Sequence, residues 1–194
     1  MVDERELIRR ARQKDQRAFE LLVGLKRVRA FRIALNIVGD EEDAKDITQM
    51  AFIRLWSAIH KFDENSRFDP WFFKIVVNLA IDFYRKRHLT PRAVDLEEGE
   101  AAGGGVPASA LPGADAGAMR AELRGIFNRL AERLSPAQRA AFTLREIEGL
   151  ATQDIGRIMG IRASTVRNHL MQARRILQEG LKRRYPEYFR GPKP

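Results

Sequence analysis

The chain has 194 residues, 44% of them hydrophobic, enough to bury one or two substantial cores, and it contains no cysteine. A formal net charge of +9 favours a polyanionic partner, and the missing cysteines exclude disulfides, thiolate zinc sites and cysteine nucleophiles and fit a reducing compartment. The opening MVDERELIRRARQKDQ lacks the apolar centre of a secretory signal, and no apolar run could span a bilayer. The expectation is therefore a soluble, cytoplasmic chain with no membrane insertion.

The predicted fold class is all-α, as two helical domains joined by a flexible linker. Residues 1–88 are helix-patterned and rich in Phe, Leu, Ile and Arg. Asp15 and Asp40 precede helical runs as N-caps, and Gly39 marks a helix end between them. A helix over about 41–60 puts Ala44, Ile47, Ala51, Leu55 and Ala58 on a core face. Asp43, Asp46, Gln49, Met50, Arg54 and Ser57 spread over its other sides, with Phe52, Ile53 and Trp56 adding bulk. Two apolar sides exceed what one packing face needs, and an apolar surface edged with acids suits a large protein partner.

A second helix over about 69–87 follows the polar loop HKFDENSRFD. Trp71, Ile75, Leu79 and Phe83 form one i, i+4 row, with Phe72, Val76 and Ala80 beside it. Opposite runs a polar stripe of Lys74, Asn78, Asp82 and Arg85, which Lys86 and Arg87 extend. Such a stripe beside Phe68 and Trp71 suits single-stranded or locally opened nucleic acid, where cations hold phosphates and rings stack on bases. Capping or bridging within the domain is the competing role for Asn78 and Asp82.

Residues 89–117 change character: Gly, Ala and Pro dominate, with an acidic patch of Asp95, Glu97, Glu98 and Glu100 and no aromatic residue. That composition buries too little apolar surface to offset its ordering entropy and reads as a flexible linker. Residues 118–185 are helix-patterned again, with Ser135 as N-cap before Pro136 and Gly149 at a helix end, and a basic tail occupies 186–194.

Within this last domain Leu150–Leu177 reads as a helix-turn-helix. Ile155, Met159, Ile161 and Val166 fall where two crossed helices share a seam. Gly156 sits at their close approach, and Gly160 at a turn that needs positive φ. The second helix buries Val166, Leu170, Ala173 and Leu177, and its other face carries Arg167, Asn168, Gln172, Arg174 and Arg175, donors for phosphates and base edges. A plain helical hairpin with a solvated charged face is the competing reading.

Nothing suggests an enzyme. His60, His88 and His169 lack ligand-like spacing, and Gly103–Gly105 has no following lysine, so no catalytic residue, metal or cofactor is expected. A stand-alone helix-turn-helix regulator is the alternative function. A receiver domain, however, would need alternating strands and helices that the first half lacks.

The patterns DAKDITQMAFIRLW and FDPWFFKIVVNLAIDFYRKR together resemble region 2 of bacterial sigma factors of the extracytoplasmic-function (ECF) group. LSPAQRAAFTLREIEGLATQDIGRIMGIRASTVRNHLMQARRIL is similar to region 4 of that group. The resemblance covers about half the chain, in the expected order. The tether leaves no room for the extra helical domain of primary sigma factors.

The resemblance implies a transcription initiation factor with core RNA polymerase, promoter DNA and an anti-sigma factor as partners. It puts Asp46, Gln49, Phe52 and Trp56 on the clamp helices of the polymerase β′ subunit, and region 4 at the β flap. The loop from Lys61 to Asp69 matches one that captures a flipped base of the −10 element, which Phe68, Trp71, Lys74, Asn78, Asp82, Arg85 and Lys86 line. Arg162, Ser164, Thr165, Arg167 and Asn168 begin the helix that enters the major groove at the −35 element, with Arg174 and Arg175 on phosphates. Four positions depart from the family pattern. Met50 replaces an acid, Val23 and Leu25 stand where tyrosines are usual, and Thr152 replaces an aromatic residue.

Overall fold

The computed structural model describes residues 3–89, 123 and 125–186, and every regular element among them is helical. The linker expected at 89–117 and the tail from 186 lie, apart from their first residues, outside the described residues. The elements are α1 (Glu4–Arg12), α2 (Gln16–Val38), α3 (Glu41–Ala58) and α4 (Phe68–Leu89), then α5 (125–131), α6 (Pro136–Phe142), α7 (Thr152–Met159) and α8 (Ala163–Arg184). A short 3-10 turn, Ile59–Lys61, follows α3, and a π-helical turn, Thr143–Ile147, follows α6.

Caps set the starts. Asp3, Asp15 and Asp40 each accept a hydrogen bond from an amide of the first turn, at 3.0, 3.0 and 2.9 Å. Ser135 and Gln138 bond reciprocally at 2.9 and 3.3 Å, with Pro136 as the first helical residue. Each such cap stabilises its helix by about 1 kcal/mol.

In the first half, α2 packs on α1, α3 and α4, burying Leu22, Ile33, Ile37, Leu55, Phe72 and Val76. In the second, α6, α7 and α8 close around Leu144, Ile155, Ile158, Val166 and Leu170. A satellite cluster joins Leu130, Ala131 and Leu134 to Ala173 and Leu177 of α8.

Sequence periodicity anticipates two helical domains, and the structure shows in addition that their cores are continuous among the described residues. Residues from Ile8 to Ala80 and from Ala140 to Leu170 belong to one buried cluster. α4 lies along α7 and also touches α6, while α2 meets α6 and the π-helical turn. The periodicity missed this because it reports that a face is apolar, not which partner covers it.

Polar contacts seal the same boundary. Glu148, its side chain out of solvent, accepts from Arg32 Nε at 2.6 Å and from Arg29 Nε at 2.7 Å. Arg29 also donates to Asp69 at 2.9 Å and stacks over Phe73 at 4.8 Å. Arg67 donates to Asp154 at 2.6 Å, and Asp154 also pairs with Arg157 at 3.0 Å. Arg139, 2% exposed, donates to the Asn36 carbonyl at 2.7 Å and to Asn128 at 3.0 Å. Gly39 makes room for it: a Cβ there would lie 2.9 Å from the Arg139 guanidinium, and the glycine holds φ at 84° as the α2 C-cap.

Burial pushes the Glu148 carboxyl up, and hydrogen bonds from Arg32 and Arg29 more than reverse this, so it titrates below the ordinary glutamate value. A carboxylate with a depressed folded-state pKa contributes stability above its unfolded pKa and loses it as pH falls through the folded one. Acid titration of thermal stability should therefore show a loss below the usual glutamate range that Glu148→Gln removes.

Gly156 supplies a second check. A Cβ there would sit 2.8 Å from the Ile161 carbonyl oxygen, across the turn between α7 and α8. Gly156→Ala should destabilise the chain by about 1–3 kcal/mol in denaturant unfolding. Gly24, mid-α2 with nothing within 4 Å of a Cβ, should instead gain up to about 1 kcal/mol on change to Ala.

Candidate nucleic-acid interface

The helix-turn-helix forms as α7, a turn at Gly160 with φ 67°, and α8. Val166, Leu170, Ala173 and Leu177 anchor α8 inward, which fixes the opposite face outward. There Arg162, Ser164, Arg167 and Asn168 are exposed and Thr165 is half-buried. Neither Arg167 nor Asn168 has a hydrogen bond or ion pair among the described residues. Their polar groups lie on the first turns of a free helix end, the part that reaches base edges when a helix enters a major groove.

Farther along α8 the donors are committed within the chain. Arg174 pairs with Glu146 at 2.5 Å, Arg175 approaches Glu179 at 3.9 Å, and Gln172 accepts from Gln138 at 2.7 Å. Phosphate contact by Arg174 would require exchange of its carboxylate partner.

On α4 the structure brings Lys74, Asn78, Asp82 and Arg85 into one exposed row. Among the described residues none of them is hydrogen-bonded or ion-paired, so capping or bridging within the domain does not account for Asn78 and Asp82. Lys86 is exposed at the end of this row, and Arg87 beside it pairs with Asp43.

The two aromatic candidates differ from expectation. Phe68 is only 6% exposed, with its ring 5.3 Å from Phe62 and 6.1 Å from Phe72. It is a core residue, and stacking on a base would pull it out of the aromatic cluster. Trp71 is half-buried, 5.1 Å from Phe62. The 61–69 loop turns on Asp63, which accepts from the Asn65 amide at 3.0 Å and leaves residues 63–67 exposed.

The candidate protein-docking face also divides. Asp46 and Gln49 are exposed on α3. Phe52 and Trp56 are half-buried and turn inward, Phe52 to Phe72 at 5.1 Å and Trp56 to Phe19 at 4.7 Å. Lys14 caps Trp56 further, with its ammonium 4.8 Å over the ring. The outward apolar surface comes from Met50 and Ile53, 45% and 53% exposed. Sequence reasoning counted Ile53 only as bulk, although its i, i+4 relation to Gln49 was a usable signal. It also missed the exposed row Leu21, Leu25 and Val28 on α2.

No cluster of His, Cys, Asp or Glu among the described residues could hold a metal ion, and no described helix is long and apolar enough to cross a membrane.

Comparison with known proteins agrees with this layout. The Sigma-70 region 2 family model matches residues 23–90, and that for Sigma-70, region 4 matches 124–177. The ECF RNA polymerase sigma-E factor of Escherichia coli K12 is 31% identical over 175 residues, 88% of this chain and 90% of that protein. Among solved structures, CnrH in complex with the cytosolic domain of CnrY superposes with a TM-score of 0.70 at 24% identity, covering 94% of this chain and 99% of that one. The sigma factor RpoE of Bartonella quintana, solved with the anti-sigma factor NepR, gives 0.64 at 23% identity over 84% of this chain and 96% of that one.

Exposure separates the site residues energetically. Phe68→Ala should cost about 3–5 kcal/mol in thermal or denaturant unfolding, as large-to-small core changes do. Arg167→Ala and Asn168→Ala should stay within about 0.5 kcal/mol of the parent, as exposed unpartnered positions do.

Proposed function

The chain belongs to the extracytoplasmic-function group of RNA polymerase sigma factors, which direct core RNA polymerase to promoters, and we propose how its residues divide that work. The α3 face of Asp46 and Gln49, with Met50 and Ile53 as its apolar part, docks on the β′ clamp helices, while region 4 meets the β flap. The α4 row of Lys74, Asn78, Asp82, Arg85 and Lys86 lines the −10 element, with the 61–69 loop taking a base out of the stack. Holding that base offsets part of the cost of unpairing it. Arg162, Ser164, Thr165, Arg167 and Asn168 read the −35 element.

The observation that carries this assignment is the pair of exposed polar rows without hydrogen-bond or ion-pair partners among the described residues, Lys74, Asn78, Asp82 and Arg85 on α4 and Arg167 and Asn168 at the start of α8, each on a helix whose other faces are buried. Asp82 in the α4 row bears a charge that repels phosphate, and Arg85 one turn on offsets it. The chain works in the cytoplasm with its polymerase, carries no enzymatic activity of its own, and is restrained by an anti-sigma factor. The Bartonella RpoE–NepR complex supports that last partner. The match of residues 23–90 to region 2 favours this reading over a stand-alone regulator, which would have no use for a polymerase-docking half.

Footprinting with core polymerase tests it: promoter protection should need both proteins, and equal protection by the chain alone would refute the bipartite scheme. Arg167→Ala should lower use of the cognate promoter by about 10- to 100-fold, since a good base contact is worth roughly 1–3 kcal/mol, and leave core binding intact. Asp46→Ala with Gln49→Ala should do the reverse, weakening the pull-down of core while duplex binding by region 4 is kept.

A further inference from the structure

Among the described residues Lys26 of α2 is the only buried lysine, 7% exposed, and none of the contacts assigned above to polymerase or DNA uses it. Taking an ammonium out of water is costly, so a buried lysine keeps its charge only where its donors are met. Here the ammonium donates to Asp69 at 2.6 Å, pairs with Glu4 of α1 at 2.8 Å and lies 5.9 Å over the Phe68 ring. Phe68 and Asp69 are the residues that end the 61–69 loop and open α4.

The rest of the loop is tied down around this point. Phe62 fixes its near end, with its ring edge-on to Phe68 at 5.3 Å and 5.1 Å from Trp71. Arg12 of α1 pairs with Glu64, and residues 63–67 are exposed between the two aromatic anchors. The second carboxylate oxygen of Asp69 accepts from Arg29, one turn on from Lys26, at 2.9 Å. Two cations of α2 thus hold Asp69 by both oxygens, which fixes the direction in which the chain leaves the loop. An acid in the first turn of a helix ordinarily serves the helix dipole, and a solvated carboxylate suffices for that. The buried cation adds a fixed position.

We propose that Lys26 is the positioning residue of the base-capturing loop. It pins Phe68 and Asp69, so that residues 63–67 keep a preformed shape for a base drawn from the −10 strand. The inference rests on the role given to the loop above. Lys26 touches no base and acts through Asp69 and Phe68. A loop shaped in advance avoids the ordering cost that a mobile one would incur as the base enters. Phe68 thereby takes part in promoter opening without leaving the core, as the ring against which the ammonium rests.

The test uses holoenzyme assembled from core RNA polymerase and the full chain. Its DNA is a fluorescent fork junction of the cognate promoter whose non-template −10 strand is already unpaired. Parallel DNAs carry one abasic site at each −10 position in turn. With the parent, loss of the captured base should weaken binding by about tenfold or more, since a held base contributes as much as a stacked one. Lys26→Met removes the charge and keeps much of the bulk. It should weaken binding to the intact DNA by about tenfold, yet bind the DNA lacking that base as the parent does. A general loss of structure would weaken both DNAs alike. Asp69→Asn should show the same pattern, so that a folding defect in one variant does not decide the result, and Lys26→Arg should recover most of the affinity. Glu4→Gln removes only the pair that faces away from the loop and should stay within about twofold of the parent. In the free chain, amide hydrogen exchange over residues 63–67 should quicken in Lys26→Met and Asp69→Asn but not in Glu4→Gln.

Equal losses on both DNAs overturn the proposal, as do unchanged loop exchange in Lys26→Met, failure of Lys26→Arg to recover affinity, or a loss in Glu4→Gln as large as in Lys26→Met. A parent indifferent to every abasic site would instead refute base capture by the loop, with the anchoring by Lys26 still decided by the exchange rates.

Discussion

Helix α4 is wanted by three surfaces at once, and the rest of the molecule is arranged around that competition. Phe72, Phe73, Val76, Val77 and Ala80 are buried, and Trp71, Ile75, Leu79, Ile81 and Phe83 are partly covered. One flank supports α2 and α3, another receives α6 and α7, and the narrow row of Lys74, Asn78, Asp82 and Arg85, with Lys86 and Arg87 after it, is left exposed. A helix this apolar would be unstable as a solvent-exposed element, because its uncovered area would be a liability for association. Its second flank therefore needs cover, and in the free chain the second half of the same polypeptide provides it.

The division between adhesion and register follows from the chemistry at this boundary. Apolar side chains attract without direction, so they strengthen the contact but tolerate sliding. Charged pairs add little net stability where they are partly solvated, yet they penalise any arrangement that leaves a carboxylate shielded without a cation. Glu148, inside its two guanidiniums, has that property, and its depressed titration records the same preference. The interface is thus specific enough to close in one way.

What the sequence disclosed was local. The caps at Asp15, Asp40 and Ser135, the left-handed glycines at 39, 149 and 160, and the buried stripe of α8 all follow from short-range rules, and each is present. The exposed rows on α4 and α8 were legible for the same reason, since a helix with two defined buried faces leaves its polar face no alternative. Phe68 was misjudged because an aromatic residue at a helix start looks alike whether it faces a base or the core. The partners that Arg29, Arg32, Arg67 and Arg139 find in the opposite half lay out of reach: each of these pairs joins residues about ninety or more positions apart, and neither member carries a local mark of the other.

Arg139 over Gly39 has a bearing on inheritance. A single guanidinium from the second half fills the space that a missing side chain in the first half leaves, and it donates to the Asn36 carbonyl nearby. The two residues constrain each other: a side chain at 39 would displace the guanidinium and strain a backbone at φ 84°, and a shorter residue at 139 leaves the Asn36 carbonyl without that donor. Sigma factors of this build look like two interchangeable modules on a string, suited to domain exchange between relatives. In this chain the modules are matched parts, and a functional hybrid would have to carry over the glycine with the arginine.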